Sequence, residues 1–322
     1  MNLLYFFLTA TFWGGSYIAI KVLISEVSPV FSAFMRVAFS GFFLLILYFL
    51  LNKNFTVQKE LRWKSWLAGI FIQGLPFGIL FWAQKTVSPS LSAILIATAP
   101  LWACVLSYYF LKNDEEVTLP KVLGLLLGFG GVLLIFLPSL HIKSSSGLAY
   151  GIGAVIFVAM CYAIGVLITR SLFKSHKKID FYGNLFQQQI AAIVFLFVVT
   201  LFTEKAFPFA SLFLSTKALL AVIYLSFFST VLAWLMFFKI LQVWGSVKTS
   251  AATYVCPVVT LILDYFIFGH ILSAHEWMGA LTILCGVMLI QVPTQFWYGL
   301  KNYVSQEFKV TLSFLRQVRF FL

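Results

Sequence analysis

The chain has 322 residues, of which 61% are hydrophobic and only 10% charged, with a mean hydropathy of +0.99. A soluble domain has too little interior to hide that much apolar side chain, so soluble enzymes and soluble binding modules are excluded. The net charge of +12 is spread between apolar segments instead of gathering on one face, which argues against nucleic acid and reads as a topology signal.

Ten apolar segments run 3–23, 30–51, 65–86, 90–111, 120–138, 147–169, 181–202, 218–240, 247–268 and 275–293. Each is near the roughly 20 residues that a bilayer core requires. The connections are short, and helices satisfy their own backbone groups in lipid, so a bundle of tightly joined helices is predicted. The first segment lacks an Ala-x-Ala-like cleavage site and is read as a span, not a signal peptide. The third carries Gln73-Gly74-Leu75-Pro76-Phe77-Gly78, two glycines flanking a proline. Such a stretch kinks or unwinds a helix, either to shape a substrate site or to let helices pack closely.

The fourth segment has an echo in the ninth. Ser88–Leu111 and Gly245–Phe268 each open on small residues, place a proline mid-segment (Pro100 and Pro257, 157 positions apart) and end on aromatics. The following segments repeat as well, Gly131-Val132-Leu133-Leu134-Ile135 against Gly286-Val287-Met288-Leu289-Ile290. Residues 1–138 and 147–293 are therefore two copies of one five-helix unit. Five is odd, so the second copy enters the membrane from the opposite side. The fold class is an all-α polytopic membrane protein, ten transmembrane helices as two inverted five-helix repeats around a central cavity. Inverted repeats of this kind underlie alternating access in secondary transporters. Gly74, Pro76, Gly78, Pro100 and Pro257 are the candidate pivots, with the two prolines lining the cavity at matching positions. Gly124, Gly128, Gly130 and Gly131 have the small-residue spacing of a close helix contact, within one chain or between two copies of a homodimer.

With the N-terminus inside, sixteen Lys and Arg fall on the inner side and five on the outer, which predicts cytoplasmic N- and C-termini. Residues 294–322 place Leu300, Val304, Phe308, Leu312 and Leu315 at helical spacing among basic residues. That pattern suits a basic amphipathic helix on the inner leaflet, or a disordered tail.

Two ionisable residues stand inside spans. Asp264 completes a stripe with Thr253, Pro257 and Thr260 at helical spacing, and the matching residues of the first copy are Ile96, Pro100, Ala103 and Ser107. An intramembrane carboxylate is costly unless it faces a cavity or a partner, so Asp264 either takes part in transport or caps the span at the interface. Arg36 is the matching cation, two turns in from Pro29. It clamps an anionic substrate, pairs with Asp264 or snorkels to the headgroups. Trp13, Tyr17, Phe77, Tyr162, Tyr224, Trp234 and Tyr254 lie near small or polar neighbours, and with Gln73, Gln187 and Gln188 they form the candidate substrate pocket. Each of these residues is otherwise ordinary core.

The four cysteines (Cys104, Cys161, Cys256 and Cys285) sit inside apolar segments without ligand spacing and are read as small buried side chains, with no metal and no disulfide. No Walker-type phosphate loop, His-Glu-x-x-His or Gly-x-Ser-x-Gly is present. No cofactor, ATP use or catalytic set is expected.

An ordered set of motifs resembles a known family. Phe12-Trp13-Gly14-Gly15-Ser16 looks like the opening motif of the EamA family of the drug/metabolite transporter superfamily. Pro29 with Arg36 resembles its second span, and Ser92-Ala93 leading to Pro100, Glu115 or Glu116 and the glycine-rich run resemble its fourth and fifth. The second half matches more loosely, with Tyr162 where Trp13 stands, Gln187 where Arg36 stands, and His270 or Glu276 near an expected acidic residue. The resemblance covers residues 1–293 and implies a secondary transporter that exports or exchanges small organic metabolites across a bacterial inner membrane. A lipid or lipid-linked sugar flippase and a membrane-embedded transferase are the alternatives.

Overall fold

The computed structural model describes residues 1–51, 57–110, 117–136, 146–175, 179–204, 207–268 and 273–292, with the side chains of 90, 146, 175, 260 and 263–268 outside that description. The tail from 293, Glu115, Glu116 and His270 lie outside the described residues. Ten spans follow in order: Asn2–Glu26, Pro29–Leu51, Lys59–Ala83, Leu91–Phe110, Leu119–Phe136, Gly147–Lys174, Phe181–Thr203, Thr216–Trp244, Ala252–Phe268 and Ala274–Gln291, referred to below as spans 1 to 10. Eight of them are long and apolar enough to cross a membrane by themselves; the apolar helix of span 5, Leu119–Ile135, and span 9 are shorter. No strand occurs among the described residues. Large apolar side chains such as Phe49, Leu50, Tyr109 and Phe202 are exposed, which is costly in water and favourable against lipid.

The two halves interlock. Span 7 packs on spans 2 and 3, span 6 on spans 3 and 4, and span 1 on spans 8 and 9. Span 10 lies along span 5. Their backbones meet because glycines face glycines. An added Cβ at Gly286 would sit 2.5 Å from the Gly128 nitrogen and 2.6 Å from the Gly124 oxygen, and one at Gly131 would sit 2.7 Å from the Gly279 oxygen. The glycine run thus joins two helices of one chain. Gly130 alone of the four has nothing within 4 Å.

Spans 3 and 8 each contain a wide helical turn with the π pattern, Ile70–Gly74 and Tyr224–Leu232. In span 3 the cause is in the sequence. Pro76 brings no N–H, and the Leu75 N–H reaches five residues back to the Ile70 carbonyl. The Gly-Pro-Gly stretch therefore widens the helix instead of unwinding it. Gly74 and Gly78 receive Phe195 and Leu196 of span 7, each 3.1 Å from an ideal Cβ. In span 8 no proline is involved; the Thr230 hydroxyl instead donates to the Leu225 carbonyl five residues back, at 2.8 Å.

The repeated prolines play unequal parts. Pro100 is the second residue of helix Ala99–Phe110, which restarts after a break at Ala97 and Thr98, whereas Pro257 lies inside the continuous helix Ala252–Phe268. Both are buried. The cysteine reading needs one correction: Cys104, Cys161 and Cys256 are buried, but Cys285 is exposed, because span 10 turns that face away from span 5.

Candidate functional site

The residue with the most to satisfy is Arg36, 3% exposed in span 2. Its Nε donates to Thr230 Oγ1 at 2.9 Å and its Nη2 to Ser229 Oγ at 3.2 Å, both hydroxyls supplied by the wide turn of span 8. The guanidinium carbon lies 3.8 Å from the centroid of the Phe77 ring, a cation–π stack. The backbone around it is tied down as well. Ser226 Oγ donates to the Arg36 carbonyl at 2.9 Å, and Ser40 Oγ reaches the Arg36 carbonyl at 2.7 Å and the Ser226 carbonyl at 3.1 Å. A loosened backbone ladder and three hydroxyls in span 8 thus become the seat of a buried cation.

Beside Arg36 opens a cavity. Span 1 contributes Trp13, Ser16, Tyr17 and Ile20, span 3 Phe77 and Leu80, and span 4 Ile96 and Ala99. Tyr162, Ala163 and Val166 come from span 6, and Trp234 and Phe237 from span 8. Ser250, Thr253 and Cys256 come from the start of span 9 and the short helix Ser246–Ser250 before it. Both halves therefore build it, and at matching places: Ile96 and Ala99 stand 157 positions before Thr253 and Cys256. Aromatic rings form one wall. Trp13 packs against Trp234 at 5.0 Å and Phe237 at 5.2 Å between centroids, with Tyr162 6.4 Å from Trp234. Trp13 is held in place by its Nε1, which donates to the Ser229 carbonyl at 3.1 Å.

Of the residues singled out in the sequence, Trp13, Tyr17, Arg36, Phe77, Tyr162, Trp234 and Thr253 come together at this cavity. Tyr224 does not line it. Its hydroxyl donates to the Phe12 carbonyl at 2.9 Å, and a side chain at Gly15 would strike that hydroxyl. Tyr254 is fully buried against Gly128, between spans 9 and 5. The glutamines lie elsewhere. Gln187 accepts from Trp66 Nε1 at 2.9 Å instead of matching Arg36, and Gln188 donates to Thr169 at 3.0 Å. Gln73 is buried outside the cavity lining, in the wide turn of span 3 that packs on span 7. Neither Pro100 nor Pro257 lines the cavity; the residues immediately before them, Ala99 and Cys256, do, since one step along a helix turns the facing direction by about 100°. The side chains of Thr260 and Asp264 lie outside the described residues.

Glu276, half of the expected acidic position, caps span 10. Its Oε2 accepts from the Ser273 N–H at 2.8 Å and the Ser273 hydroxyl at 2.6 Å. Reading the sequence missed the hydroxyls Ser226, Ser229 and Thr230, whose spacing of three and four in an apolar span is a legible signal for a buried polar partner. Among the described residues no group of His, Cys, Asp and Glu is placed to hold a metal ion.

The comparisons with known proteins follow the same two-part division. The model of the EamA-like transporter family matches residues 1–137 and again 149–292. Protein PagO of Salmonella typhimurium is 25% identical over 287 residues, which is 89% of this chain and 91% of its own. The uncharacterized transporter YoaV of Bacillus subtilis is 26% identical over 278 residues, 86% of this chain and 92% of its own. An uncharacterized transporter of Archaeoglobus fulgidus is 25% identical over 289 residues, 88% and 96% of the two chains. A solved crystal structure superposes with a TM-score of 0.73 at 16% identity, covering 90% of this chain and 96% of its own, and shares the fold.

Proposed function

The chain belongs to the EamA-like transporter family, and from that premise we propose that it is a secondary transporter carrying small organic solutes through the central cavity by alternating access. The observation that carries this reading is a cavity built by both repeats, with matched residues of spans 4 and 9 in its lining. Two copies of one unit that share a cavity can exchange roles, which opens the site first to one face of the membrane and then to the other. The aromatic wall suits a solute with an apolar or planar body. Nothing in the sequence supplies a phosphate-binding loop, so the driving force in this reading is a gradient or an exchanged solute. The bacterial relatives and the charge asymmetry favour an inner-membrane protein with both termini cytoplasmic, working as an exporter or exchanger.

The test is counterflow into proteoliposomes preloaded with single metabolites. Accumulation of a labelled solute that is lost in Trp13→Ala, with the variant still folded, is the expected result. Scrambling of labelled lipid headgroups in the same vesicles without any solute counterflow would replace this reading by lipid flipping.

A further inference from the structure

The cavity is richer in hydrogen-bond donors than its apolar lining suggests. Arg36 spends one N–H on Thr230 and one on Ser229, and its remaining N–H groups, those of Nη1 included, have no hydrogen-bond partner among the described residues. Trp234 lines the same cavity at 3% exposure, and its Nε1 is buried without a partner. Tyr17 and Tyr162 also line it, and neither hydroxyl makes a hydrogen bond among the described residues. The hydroxyls of Ser16 and Thr253, by contrast, donate to the carbonyls of Trp13 and Ser250. What stays uncommitted is therefore one cation, one indole N–H and two phenols.

Charge makes the same point. No Asp or Glu among the described residues lines the cavity. Among the described residues the buried guanidinium meets two hydroxyls and a phenyl ring and no opposite charge. The group that completes such a set is an acceptor bearing one negative charge. A carboxylate takes two parallel N–H bonds from a guanidinium fork and still offers lone pairs to neighbouring donors. A phosphate monoester would bring close to two charges against a single cation, and the surplus would be stranded in an apolar site. We infer that the cavity binds a monoanionic organic carboxylate, its carboxylate on Arg36 and its apolar or planar body against Trp13, Trp234 and Phe237. This rests on the transport reading above, because it names the class of solute for that same cavity.

The experiment is thermal unfolding of the purified full chain in detergent with a charge-matched series: phenylacetate, indole-3-carboxylate and hexanoate as acids, phenylacetamide as the neutral isostere, 2-phenylethylamine as the cation and phenyl phosphate as the dianion. At least one acid should raise the midpoint saturably, with the amide, amine and phosphate at least tenfold weaker. Arg36→Gln should remove the shift, and Arg36→Lys should keep part of it because the charge remains and the fork is lost. If Arg36→Gln does not fold, discrimination within the wild-type series and the partial response of Arg36→Lys decide the matter. The inference is overturned if no acid stabilises the wild type, if the amide, amine or phosphate matches the acids, or if a folded Arg36→Gln responds like the wild type. Counterflow of neutral or cationic solutes in that event leaves transport standing. Acid binding with no flux of any solute overturns transport and leaves the binding assignment.

Discussion

The contact between spans 5 and 10 allows a stability change to be worked out from distances. Replacing Gly286 by alanine adds one carbon that lands 2.5 Å from the Gly128 nitrogen, 2.6 Å from the Gly124 oxygen and 3.0 Å from the Gly128 Cα. All three are backbone atoms, which cannot swing aside as the end of a side chain can. Carbon packs best at about 3.5–4.0 Å, so the helices must part by about 1 Å where both are most closely seated. Overpacking of this kind costs about 1–3 kcal/mol, and the absence of any side chain to yield places it at the upper end, about 3 kcal/mol. At about 2–4 °C per kcal/mol the thermal midpoint falls by about 6–12 °C. Gly130 is the control, since its added carbon meets nothing within 4 Å. Alanine is favoured over glycine in a helix by about 1 kcal/mol, so Gly130→Ala should leave the midpoint unchanged or raise it. Tryptophan fluorescence during heating in detergent reads both variants. Equal midpoints for Gly286→Ala and Gly130→Ala would refute the close seating of the two helices.

Tyr254 is fully buried and its hydroxyl has no partner among the described residues, so Tyr254→Phe should be neutral or stabilising by about 1 kcal/mol in the same assay. A loss of that size or larger would mean that the hydroxyl is bonded. Both amide atoms of Gln73 are likewise buried without partners, and Gln73→Leu should raise the midpoint; a drop would show that the amide is satisfied in the folded protein. Trp66→Phe removes the N–H that Gln187 accepts and should cost about 1 kcal/mol. Combining it with Gln187→Leu should recover part of that loss, and strictly additive losses would rule out the bond.

The fold was legible because its signals are long-range and redundant: ten apolar stretches and a repeat at a fixed offset. Arg36 was legible because a lone intramembrane cation has few places to go. Trp13 and Tyr162 could be singled out from polar or small neighbours in the chain, and Thr253 from its helical spacing to Pro257, Thr260 and Asp264. What hydropathy cannot give is the direction in which a residue faces around its helix. Gln187, Gln188 and Tyr254 sit in the right spans and turn to helix contacts, since rotation is set by whatever packs alongside. Gly69 and Gly128 decide two of those rotations by admitting the Gln188 backbone and the Tyr254 ring. The seat of Arg36 was hidden for a related reason: three ordinary hydroxyls in span 8 gain their role only once the wide turn presents them.

The wide turn of span 3 also governs phase. An α-helix advances about 100° per residue, so absorbing one surplus residue at Ile70–Gly74 re-indexes everything after it. Residues before the turn address span 7, with Ser65 on Asn184 and Gly69 on Gln188, while Phe77 and Leu80 after it address the cavity. A regular helix through the same sequence would carry Phe77 about a quarter turn around the axis, out from under the Arg36 guanidinium. Deleting a single residue in that turn would therefore let the helix run regularly with Phe77 still facing the cavity, whereas regularising the turn at full length would leave the span hydrophobic, helical and long enough for the bilayer, yet with the wrong face toward the cavity.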